Sequence, residues 1–190
     1  MACREALFPL CGTSTNHLNT PIMNKIITLF VLVVLTHTTA LSQEKENCKG
    51  HNCKLTKIAK GNLCGANVKN CSGFIAKVID SLYGIKTFVG KTANEQYNLL
   101  VKGKFTIVTG ERATFYATER HKCVLYAYKN KSGHGHIGIV WPGKDTVING
   151  VHYPLAISGG MNKYGRSDGA KNVAEQFKRK DWGKIKYFVL

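Results

Sequence analysis

The chain has 190 residues and a formal net charge of +16, from 27 Lys and Arg against 11 Asp and Glu, with seven cysteines. A charge of this size calls for an anionic partner: nucleic acid, an anionic membrane and the bacterial cell wall all qualify. No helix-turn-helix, zinc-finger or aromatic RNA-binding pattern is present, so nucleic acid is not expected, and the lack of repeats, heptads or low-complexity tracts excludes repeat and coiled-coil architectures.

Residues 1–22 show no periodic pattern and read as an upstream or alternative-start segment. Met23 opens a short basic region, Asn24-Lys25, followed by a ten-residue hydrophobic run from Ile26 to Leu35 and small residues at Thr38 and Ala40. This is the pattern of a secretory signal peptide over 23–40, cut after Ala40; the run is short for a membrane span. The competing reading is a signal anchor that stays in the membrane. Residues 41–190 then form one domain that retains a charge of +15 once Arg4, Lys25 and Glu5 are gone. The protein is expected outside the cell, without a stable membrane span, as a monomer.

Five cysteines remain in that domain: Cys48, Cys53, Cys64, Cys71 and Cys123. In an oxidising compartment four of them pair and one is left over. Cys71 has a reason to stay free, given below. The other four allow three connectivities, of which a local Cys48–Cys53 loop with Cys64–Cys123 is favoured. A zinc site is not expected, because Cys48, Cys53 and His51 lack a second ligand pair.

Leu41–Lys60 is polar and reads as an irregular arm, and Lys60–Lys69 as a loop. The stretch from Asn70 to Gly84 reads as a helix with defined ends. Phe74, Ile75, Val78, Ile79 and Leu82 make one apolar stripe at helical spacing, Asn70 is a good N-cap, and Gly84 suits a left-handed stop. Cys71 is then the first helical residue, where unpaired backbone N–H groups and the helix dipole favour a thiolate. The alternative is a core thiol or half of a disulfide, the default for a secreted cysteine.

A second short helix is expected over Thr92–Leu100, with Thr92 and Glu95 as a capping box. Strands are expected at Lys104–Val108, Lys122–Tyr128, His136–Trp141 (closed by Pro142-Gly143), Thr146–Ile148, Tyr153–Ser158 and Ile185–Val189. Thr109-Gly110-Glu111 reads as a turn, and Lys171–Lys180 as a basic helix. The strands at Lys122–Tyr128 and His136–Trp141 form a hairpin.

His136 starts an otherwise apolar strand, and Gly138 leaves the position beside it on the same face bare. A histidine so placed can meet a helix-borne thiol and act as its general base. His134 shares that face and competes for the role. The alternative is a surface or metal-binding His-x-His, for which no further ligands are evident.

Asn70-Cys71-Ser72-Gly73-Phe74 and Gly135-His136-Ile137-Gly138-Ile139, 65 residues from Cys to His, resemble the paired motifs of the NlpC/P60 superfamily of cell-wall cysteine amidases. Thr92-Ala93-Asn94-Glu95-Gln96-Tyr97 is similar to the Thr-Ala-x-x-Gln-Tyr segment between them. The match covers roughly residues 60–160, and the compact basic domain is similar to type VI secretion amidase effectors and their domesticated secreted eukaryotic relatives. The resemblance implies an α+β, papain-like fold with the Cys helix packed on an antiparallel sheet. It also implies hydrolysis of an amide bond in the stem peptide or cross-link of peptidoglycan, with Cys71 as nucleophile, His136 as base and no cofactor or metal. The residue that orients the histidine has no clear match: Asn149, His152 and Ser158 are the candidates.

The expected protein is thus a secreted antibacterial thiol hydrolase whose partners are peptidoglycan and the anionic wall surface. A non-catalytic, cationic, disulfide-bonded antimicrobial or wall-binding protein is the alternative from another class. A protein thiol protease or acyltransferase on the same scaffold is a third. The lysine clusters at Lys57–Lys60, Lys102–Lys104 and Lys178–Lys186 are solvated faces by default. Asn70-Cys71-Ser72 and Asn130-Lys131-Ser132 fit the N-glycosylation pattern, and a glycan on Asn70 would obstruct the thiol.

Overall fold

The computed structural model describes residues 51–131, 133–161 and 165–190. The upstream segment 1–22, the signal peptide 23–40 and Cys48 lie outside the described residues. The described residues belong to one compact unit, Gly50–Leu190.

The chain runs through helix α1 (His51–Asn62), a 3-10 turn (Gly65–Lys69), α2 (Cys71–Tyr83), α3 (Ala93–Lys102), strand β1 (Thr106–Val108), α4 (Gly110–Thr118), β2 (Val124–Tyr128), β3 (His136–Ile148), β4 (Val151–Ser158) and β5 (Ser167–Asn172). Two 3-10 turns, Val173–Gln176 and Arg179–Lys184, lead into β6 (Lys186–Val189). One six-stranded sheet, in the order β1-β6-β2-β3-β4-β5, has antiparallel neighbours throughout. The protein is α+β.

Helices cover both faces of the sheet. Side chains alternate along β3, so Ile137 and Ile139 face one way and His136, Gly138 and Val140 the other. On the first face, Ile137, Ile139, Leu125, Ile157 and Phe188 pack on Phe74, Ile75, Val78 and Ile79 of α2, with Leu55 of α1 and Leu100 of α3. The four α2 side chains are completely buried. Each is worth roughly 1.5–3 kcal/mol relative to exposure, enough to fix the helix on the sheet. On the second face, Ala113 and Ala117 of α4 lie on Val124, Tyr126, Val140, Ala156 and Tyr187.

The Cys71 helix has the expected ends: the Asn70 side chain caps Gly73 N–H at 2.9 Å, and Gly84 is left-handed at φ 68°. The Thr92–Glu95 capping box also forms. Other expectations fail. The part of the arm that is described is helix α1, because Leu55 and Ala59 form a buried i, i+4 stripe that the surrounding lysines obscure. Thr109-Gly110-Glu111 is the start of α4 rather than a turn: Thr109 caps Arg112 N–H at 3.3 Å, and Ala113 and Ala117 are small enough to seat the helix closely. Pro142-Gly143 does not close the third strand. Pairing with β4 changes register between Trp141 and Thr146, and the bulge absorbs the proline. The 171–180 segment is no helix. It is the end of β5 and a 3-10 turn held by a reciprocal Asn172–Glu175 cap.

Cys123 corrects the favoured disulfide pattern. It is a free, fully buried thiol beside Tyr83, so no Cys64–Cys123 bridge forms. Cys53 and Cys64 are disulfide-bonded, and Cys71 is free. Among the described residues no helix is long and apolar enough to cross a membrane.

Candidate active site

The cap on α2 places Cys71 at the first helical residue, partly exposed. Its thiol faces the backbone N–H of Ile137, the residue after His136, as well as those of Ser72 and Cys71 itself. Burial pushes the thiol pKa up, and these N–H groups oppose that by stabilising the thiolate. The start of β3 and the start of α2 therefore meet.

The His136 ring, on the opposite face of β3 from α2, is gripped on its Nε2 side. Gln176 Oε1 lies 3.2 Å from Nε2, and Tyr126 Oη lies 3.5 Å from it. The Gln176 oxygen also accepts from Tyr126 Oη, and Ser158 Oγ stands 2.7 Å away. A carbonyl oxygen only accepts, so a hydrogen bond from Nε2 to Gln176 Oε1 requires the proton on Nε2. The Nδ1 edge faces Gly165: a β-carbon built there would stand 3.7 Å from Nδ1, in ordinary contact. Phe177 packs edge-on against the ring at 5.4 Å between centroids. Burial lowers the imidazole pKa to about 4, with the Gln176 hydrogen bond opposing. At neutral pH the imidazole is thus uncharged.

Gln176 is the His136 contact that sequence reasoning missed. Of the three candidates, Ser158 touches Gln176 and Gly165 O rather than His136. Asn149, at φ 51°, sits in the β3–β4 turn at the far end of the strand, and His152 pairs its Nδ1 with Asp145 Oδ2 at 2.8 Å. The clue lay in Asn172-x-x-Glu175, a capping pattern inside a segment dominated by lysines. His134 is exposed, ahead of the strand, and takes no part in these contacts. Gly138 has a different use from the one expected. A β-carbon there would overlap the Tyr126 ring, so its absence lets Tyr126 cross the strand and reach Gln176.

Helix α3 ties the two halves together. Gln96 Nε2 donates to Ser72 O and to Phe88 O, both at 3.0 Å, bracing the first turn of α2. Asn94 Nδ2 donates to Asn130 O and Gly133 O, both at 2.9 Å, and its Oδ1 accepts from Asn130 N at 3.1 Å. One side chain therefore holds the cysteine helix and another the loop that delivers His136. Asn70, the glycosylation candidate, uses its side-chain oxygen for the cap and to accept from Ser72 Oγ. Among the described residues no group of three His, Cys, Asp or Glu is placed to hold a metal. No protein-family model and no curated protein sequence matches this chain.

Proposed function

We propose that this chain is a cysteine hydrolase of the papain-like NlpC/P60 kind, secreted, that cleaves an amide bond in peptidoglycan. The observation that carries the reading is the Cys71 thiol lying against Ile137 N–H, one residue from a histidine whose Nε2 is held by Gln176. A buried bridge or a surface His-x-His would have no use for that arrangement.

The chemistry follows from the parts. Nδ1 of His136 takes the thiol proton as sulfur attacks the amide carbonyl, and Gln176 Oε1 steadies the imidazolium that forms. Backbone N–H groups at the start of α2 stabilise the developing oxyanion. His136 then gives its proton to the leaving amine. Water, deprotonated by His136, releases the acyl group and restores the thiol. The charge of +16 serves adsorption to an anionic wall. That same charge favours the second reading, a cationic wall-binding or antimicrobial protein without catalysis.

The test is incubation of the protein and its Cys71→Ala variant with purified peptidoglycan, products being read by chromatography and mass spectrometry. Defined peptide fragments are expected from the parent alone. Bacterial killing that persists unchanged in Cys71→Ala, with no fragments from either protein, overturns the hydrolase in favour of the cationic binder.

A further inference from the structure

We infer that Gly165 sets the room allowed to the leaving amine of the substrate: its missing side chain keeps clear the Nδ1–Cε1 edge of His136, from which that amine takes its proton. The inference rests on the hydrolase reading of the site and adds to it a determinant of specificity.

A β-carbon at Gly165 would stand 3.5 Å from Cε1 of His136 and 3.7 Å from its Nδ1. Gly165 and His136 both keep partial exposure, as a pair facing a substrate must. Ser158 fixes the glycine in that place. Its buried hydroxyl donates to Gly165 O at 2.9 Å and stands 2.7 Å from the Gln176 oxygen that holds Nε2.

The connection between β4 and β5 also reaches the cysteine side. Its first residues, Gly159 and Gly160, run along the segment that leads into α2. Gly160 N–H donates to Val68 O at 2.9 Å, and a β-carbon on Gly159 would overlap Asn67 O and stand 2.9 Å from Asn70 O. Gly165 returns beside Gly160: its β-carbon would lie 3.6 Å from Gly160 Cα. One connection therefore borders the residue before Cys71 at one end and the His136 ring at the other.

The backbone itself does not demand glycine at 165. Its φ is outside the left-handed region, and the three nearest contacts of an added β-carbon are ordinary ones. Gly138 differs, since a β-carbon there overlaps the Tyr126 ring. The chemistry does give residue 165 a reason to be bare. As sulfur bonds to the carbonyl carbon and the C–N bond breaks, Nδ1 passes the former thiol proton to the departing nitrogen. That nitrogen must come within hydrogen-bond reach of Nδ1, bringing its substituent with it. A methyl group at 165 already touches this edge and competes with the substituent for the same space. One methyl group in a site is worth roughly 10–200-fold in discrimination.

The test compares the parent with Gly165→Ala and Gly165→Val on two substrates that share their acyl part: the peptidoglycan peptide with its own leaving residue, and the matching methyl ester, whose leaving group is methanol. Gly165→Ala should melt within about 3 °C of the parent. For the peptide, kcat/KM should fall about tenfold in Gly165→Ala and further in Gly165→Val, while the ester stays within about threefold of the parent. If Gly165→Val does not fold, the Gly165→Ala comparison decides alone. Unchanged peptide cleavage overturns the assignment. So does an equal loss on peptide and ester, which marks a disturbed His136 and not a steric limit. Both of those outcomes leave the hydrolase standing. A parent that cleaves neither substrate overturns the hydrolase reading, and this inference with it.

Discussion

The side-chain oxygen of Gln176 stands 3.2 Å from Nε2 of His136. This contact holds the ring, and it predicts the behaviour of two variants. Gln176→Ala leaves Tyr126, Ser158 and His136 without their shared acceptor. It is expected to cost about 1–3 kcal/mol of stability and to lower kcat about 100-fold with little change in KM. Gln176→Glu puts a carboxylate there instead, which favours the imidazolium, so the acid limb of the kcat/KM profile should move to higher pH. A pH–rate profile with the two variants side by side checks both statements.

The same imidazole gives a stability prediction. Burial holds its pKa at about 4, against 6.5 for an unperturbed histidine. Between those values the unfolded chain binds the extra proton and the folded chain resists it. The contribution is fully present above the unfolded value and is lost as pH falls through the window, amounting to about 2–3 kcal/mol. Urea denaturation at pH 7 and pH 4 should show the parent losing more stability than His136→Gln, by roughly that amount.

Gly138→Ala tests the use assigned to the bare position. Its methyl group would overlap the Tyr126 ring, displacing Tyr126 from Gln176. A loss of about 1–3 kcal/mol in thermal or urea unfolding is expected, as for other overpacked sites. Tyr126→Phe, which keeps the ring and loses only the hydroxyl, should be milder.

The two free thiols should differ sharply in reactivity. Cys71 is partly exposed, whereas Cys123 is fully buried and pushed up to about 12 by that burial. Iodoacetamide applied to the native protein is expected to label the Cys71 peptide, with the Cys123 peptide labelled only after denaturant is added. Peptide mapping by mass spectrometry distinguishes them.

The helices that bear the site were legible because their ends are written in short-range chemistry. Asn70 and Gly84 bound one, and Thr92 with Glu95 starts the other. Cys71 and His136 were singled out by two spaced motifs, and the chain brings the start of α2 to the start of β3. Gln176 was not, since a glutamine becomes an orienting group only when a 3-10 turn carries it across the sheet to His136, a contact 40 residues apart in sequence. Helix α4 was missed for a related reason. Its buried face is made of Ala113 and Ala117, which leave a weak hydrophobic signal, while Arg112, Phe115 and Arg120 stack on its outer side. The lysines around Leu55 hid α1 in the same way.

The two halves of the site belong to different cores. Cys71 is carried by a helix packed on one face of the sheet, while His136 is held by Tyr126 and Gln176 on the other. A chain that has completed only one of these layers has a thiol with no aligned base, or a base with no thiol. On the hydrolase reading, cleavage therefore requires both layers of the sheet to be in place at once.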